Sequence, residues 1–159
     1  MALRRGFKAE ANYYARALRG ELGVAPSGSL CPWKLAGLLE VPIFTLSDYA
    51  DEAPEAVACL MNGSQDEFSA VSVFDGRKRL IVHNDAHHPY RQAANIAHEL
   101  SHAILLHPPT PLFNEVGGER DFSESIKELE DEANWLGPAL LISEEAALHI
   151  VKTELSTSM

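Results

Sequence analysis

Apolar residues recur along this chain with a helical period at both ends and a period of two between them. Ala9 to Leu22 sets alanines and leucines among charges at three- and four-residue intervals, and Gly23 with Pro26 follows as a stop, which predicts an amphipathic helix. Pro32 to Leu39 predicts a second, short helix with proline near its start. Val41 to Leu46 (VPIFTL) reads as a strand that Pro42 pushes toward a sheet edge or restricts at its first residue. Ser69 to Phe74 and Arg79 to His83 flank Asp75-Gly76-Arg77-Lys78, a short hairpin signal. From Tyr90 to Leu106 the period is helical again, until Pro108 and Pro109 stop it. A loop from Pro108 to Asp121 leads to a helix over Ser123 to Leu136, which Gly137-Pro138 breaks or kinks. Ser143 before Glu144 and Glu145 marks the N-cap of a last helix. These elements predict an α+β fold, a small antiparallel or mixed sheet packed with helices, without internal repeats.

Composition narrows the function. A chain of 159 residues, 46% of them hydrophobic, suffices for one core, so residues 1–159 are expected to form a single domain. Thirteen Lys and Arg against twenty-three Asp and Glu leave a net charge of -10, which opposes attraction to nucleic acid and anionic membrane and argues against an independent DNA-binding role. Cys31 and Cys59 are too few and too far apart for a disulfide framework or a thiolate metal site, and they fit a reducing compartment. No stretch approaches the length of a membrane span, and a cytoplasmic protein is expected.

His98-Glu99-Leu100-Ser101-His102 matches H-E-x-x-H within the Tyr90 to Leu106 helix. Residues four apart on a helix lie about 40° apart, so both imidazoles can bind one ion while Glu99 turns aside toward an attacking water. This is the arrangement of a zinc peptidase, with His98 and His102 as ligands and Glu99 as general base. The rest of the helix supports it. Ala93, Ile96, Ala97, Leu100, Ala103 and Ile104 occupy the face opposite His98, and Leu105 and Leu106 fall on the polar side, so the helix is expected to be buried and central. Two imidazoles and a carboxylate buried there need partners, and a metal is the simplest one.

Such a site needs a third protein ligand and an open position. His107, on the far side of the helix from His98, reads as a helix-end residue satisfied by water or a carbonyl; His83, His87 and His88 read as helix-start or surface residues; His149 has no partner motif. On the following helix the apolar stripe is Ile126, Leu129 and Ala133, and Glu124, Glu128 and Asp131 point away from it. Glu130 and Glu132 flank the stripe at about 70° and 90°, so periodicity barely separates them.

The run RLIVHNDAHHPYRQAANIAHELSHAILLH followed by ELEDEANWLGPALLI resembles the ImmA/IrrE family of zinc metallopeptidases over residues 79 to 142. Shared features are an apolar strand ending in Asn, an Arg-Gln pair before H-E-x-x-H, a Leu-Leu-His helix end and a Glu-x-x-Ala-Asn helix. The resemblance implies an α+β fold, a Zn2+ cofactor and Glu130, four residues before Asn134, as third ligand. It also implies a protein substrate, a repressor of the helix-turn-helix type or an antitoxin-like regulator. Ser101 stands where the family often has Gly, and Ser143 where it often has Pro.

The competing function is a zinc-containing regulatory or protein-binding domain without catalysis, against which Glu99 argues, because a structural zinc needs no base. The strand Arg79, Leu80, Ile81, Val82 and His83 is expected to offer a free edge to an extended substrate. The acidic chain is expected to favour a basic partner, as a DNA-binding regulator would be.

Overall fold

The computed structural model describes residues 3–62, 68–109 and 119–157. Its elements are α1 (Phe7–Glu21), α2 (Pro32–Leu38), β1 (Ile43–Thr45), a 3-10 turn (Leu46–Tyr49), α3 (Pro54–Asn62), β2 (Ala70–Asp75), β3 (Lys78–His83), α4 (Pro89–Ile104), α5 (Glu119–Leu141) and α6 (Glu144–Thr157). The fold is α+β, as expected. Helix α3 has no counterpart in the periodicity reading. Most of the expected Pro108 to Asp121 loop lies outside the described residues, and α5 begins at Glu119.

The sheet is mixed, in the order β1-β3-β2. β1 pairs parallel with Ile81, Val82 and His83, while β2 pairs antiparallel along all of β3, from Ala70 opposite His83 to Asp75 opposite Lys78. Gly76 takes φ 61° at the hairpin, as a two-residue turn with glycine first requires. β1 lies at an edge, where its preceding proline costs no ladder bond. β3 is therefore the central strand. At its end the buried Asn84 donates to Leu60 O and Phe68 O and accepts from Ala86 N–H, tying the sheet to the approach of α4. His88 caps α4, its Nδ1 accepting from Tyr90 N–H, and Pro89 takes the first helical position.

One hydrophobic cluster joins Phe7, Ala11 and Leu18 of α1, Leu35 of α2, Ile81 of β3, Ile96 and Leu100 of α4, and Leu136 and Leu140 of α5. Helix α4 lies between α5 and the sheet and also touches α2. Of the expected break or kink, a break does not occur: α5 runs through Gly137 and Pro138 to Leu141. Packing overrides the proline, because Leu136 and Leu140 on either side of it are fully buried. The buried Arg19 of α1 donates to Leu140 O at 2.8 Å and takes up one of the carbonyls left at the helix end. Ser143 caps α6 as expected, accepting from Ala146 N–H and donating to Pro26 O.

Gly137 meets the backbone of α4, and a Cβ there would sit 3.3 Å from both Cα and N of His98. Helix propensity alone makes Gly→Ala stabilising by about 1 kcal/mol in an exposed helix. Here the neighbouring atoms belong to a packed helix backbone. Gly137→Ala is therefore expected to lower the urea midpoint and to weaken metal uptake; a higher midpoint with unchanged uptake would show that α5 can back away freely.

Candidate metal centre

His98 and His102 stand one turn apart on α4 with their Nε2 atoms 3.2 Å from each other. Glu130 of α5 straddles the pair, Oε2 lying 3.3 Å from His98 Nε2 and Oε1 3.4 Å from His102 Nε2. A tetrahedral ion with bonds of about 2.1 Å would set its ligand atoms about 3.3 Å apart. The two imidazole nitrogens match that edge and each has a different Glu130 oxygen at a similar distance, so this donor set fits a metal. It is the one such group of His, Cys, Asp and Glu among the described residues. Exposure rises from His102 at 13% through His98 at 26% to Glu130 at 42%, which leaves a side open for a further ligand.

The two imidazoles differ in their electrostatics. Burial pushes the pKa of His102 down to about 4, so its ring is neutral at pH 7. A hydrogen bond with His98 holds Glu130 below the usual carboxylate range, and the same contact raises His98 above its ordinary value. Asn134, one turn after Glu130, also hydrogen-bonds His98.

Glu99 stays out of the donor group. Ser72 Oγ, from β2, donates to Glu99 Oε2 at 2.6 Å and fixes the carboxylate beside the site, while the half-buried Arg79 adds an attraction. Ser72 escaped the sequence reading. Its signal was a polar side chain between Ala70 and Phe74 on one face of an otherwise apolar strand.

Two expectations are corrected. Arg79, Leu80, Ile81, Val82 and His83 do not form the expected free edge, because all five pair with β2 and the last three also with β1; Ile81 and His83 are also buried, with His83 beside the Trp33 ring. Arg79 is turned to the end of α4, donating to His107 O at 2.6 Å. His107 is no solvated helix end. Its Nδ1 lies 3.0 Å from His102 Nδ1 and its Nε2 3.3 Å from Glu132 Oε2, in a buried cluster where desolvation lowers its pKa. The two carboxylates that periodicity barely separated thus face different histidines, Glu130 toward the His98–His102 pair and Glu132 toward His107.

The family model for the IrrE N-terminal-like domain, peptidase family M78, matches residues 59–158. The chain belongs to this family. Comparisons with curated proteins and with solved structures return no match. Peptidase family M78 brings a metallopeptidase-type function, and the matched span holds Ser72, Glu99 and all three donors of the metal centre. Arg4 and α1 lie ahead of it.

The geometry separates the two carboxylates by experiment. Glu130→Ala is expected to weaken metal binding by orders of magnitude, and Glu132→Ala by about tenfold, since Glu132 does not face the donor nitrogens. Titration with a competing chelator measures both, and the reverse ranking would assign the ligand to Glu132.

Proposed function

We propose that this M78 family member is a cytoplasmic zinc endopeptidase, acting as one domain, that cuts a basic DNA-binding regulator. Zinc held by His98, His102 and Glu130 would polarise the scissile carbonyl and lower the pKa of the attacking water. Glu99 takes the proton from that water and delivers it to the leaving amine. Ser72 keeps the carboxylate aimed by engaging one of its oxygens. The observation that carries this reading is that contact: a carboxylate beside the metal centre that is oriented by a neighbouring strand and is not spent as a ligand.

Support for the substrate class comes from charge. A net charge of -10 favours encounter with a basic protein and opposes binding to nucleic acid itself. An extended substrate segment would pair with β2, whose outer edge carries no strand among the described residues and which already contributes Ser72. No helix among the described residues is long and apolar enough to cross a membrane.

Glu99→Gln is expected to keep fold and metal and to lose cleavage by about 10²–10⁴-fold, the range of general-base catalysis. Ser72→Ala should keep the metal and lose roughly tenfold in kcat, for one hydrogen bond to a charged group. Cleavage of a basic regulator should slow as salt rises, and casein should be a poor substrate. Unchanged cleavage by Glu99→Gln would remove Glu99 as the base; an inert parent that binds the regulator would favour the binding-domain function.

A further inference from the structure

We propose that His107, Glu132 and Arg4 form a positioning relay that holds the His102 ring in the orientation and tautomer a metal requires. The inference rests on the reading of His102 as a metal ligand. The two ring nitrogens of His107 face different groups, Nδ1 toward His102 Nδ1 at 3.0 Å and Nε2 toward Glu132 Oε2 at 3.3 Å. Arg4 donates to the other oxygen of Glu132, and with that carboxylate accepting, His107 carries its proton on Nε2. The neutral ring then presents a bare Nδ1, and His102 has to donate from its own Nδ1. His102 Nε2 is left without a proton. That nitrogen can accept from His98 Nε2, 3.2 Å away, which also faces Glu130 Oε2 at 3.3 Å.

The direction of the relay is set at its far end. Arg4 Nε donates to Glu132 Oε1 at 2.7 Å, so the carboxylate is an acceptor on that side as well. Arg4 is itself held by Glu10, through contacts of 2.8 and 2.7 Å, and lies over the Phe7 ring. The backbone delivers His107 to the same place. Leu106 takes a left-handed φ of 55° after the last turn of α4, so that His107 N–H donates to His102 O at 2.9 Å and Leu106 N–H to Ala103 O at 3.2 Å. Arg79 then clamps the His107 carbonyl. Histidine ligands generally donate their second ring N–H to a carboxylate or carbonyl, and losing that partner costs about 10- to 100-fold in metal affinity. Here a second imidazole stands between the ligand and the carboxylate.

The test uses the full chain with two readouts. Proton–nitrogen correlation spectra of the metal-free protein report which ring nitrogen of His102 carries the proton, and competition with a chromophoric chelator reports Zn2+ affinity. His102 is expected to be protonated at Nδ1 in the parent. In His107→Leu that signature should disappear and Zn2+ affinity should fall by roughly 10- to 100-fold. His107→Asn, whose Oδ1 can replace Nδ1 as acceptor, should recover most of the affinity. Circular dichroism checks the fold of each variant, and the parent spectrum decides even where a variant does not fold: a metal-free parent with His102 protonated at Nε2 overturns the relay. A parent that binds no Zn2+ removes the ligand reading and the relay with it. Equal Zn2+ affinity in the parent and a folded His107→Leu removes the relay alone.

Discussion

The distance between the backbones of α4 and α5 is decided at Gly137, which has no side chain to hold the helices apart at the level of His98. Glu130 lies seven residues earlier, on the same face of α5 to within about 20°, so the close approach at Gly137 also brings Glu130 within reach of the two imidazoles. Ala97 and Ser101 of α4 and Ala133 of α5 are fully buried, small residues around the same contact. The sheet supports α4 from another side, and Arg19 ties the end of α5 to α1. A helix pair held at this separation supplies all three donor side chains, none of them from a loop.

Polar groups in the interior cost free energy unless each finds a partner, and a half-satisfied network is worse than an apolar core. The end of α4 meets this demand through paired roles. Glu130 serves the outward-facing nitrogens of His98 and His102, while Glu132 serves the inward side through His107 and is balanced by Arg4. Ser101, buried on the same helix, satisfies its hydroxyl on Ala97 O at 2.8 Å. The serine hydroxyl is thus accommodated in the interior.

Much of this was legible before any coordinates. The histidines of H-E-x-x-H share a face because four residues nearly close a helical turn, and the α+β order followed from two changes of period. What stayed hidden depends on which elements become neighbours. Nothing local says that β3 is central, because a strand reads the same whether one edge is paired or both. His107 looked solvated because projection on a straight helix puts it opposite His98, whereas the left-handed residue before it turns the chain back under His102. The choice between Glu130 and Glu132 needed family resemblance, since both sides of α5 are used. Arg4 and Glu132 are separated by 128 positions in the chain, a contact that no periodicity encodes.

Leu106 has a further consequence for how the protein ages. It is 86% exposed in a backbone region that costs a leucine about 1–2 kcal/mol, so its side chain gains little burial in return. That cost is set against the contacts that hold the next residue, the side-chain pairing of His107 with Glu132 and the Arg79 clamp on its carbonyl. When the last turn of α4 frays, His107 leaves with it and the His102 ring is free to rotate, although the sheet and the cluster around Ile81 and Leu100 stay intact. Opening at that turn would therefore cost metal affinity without unfolding the core, a loss that a melting curve does not register.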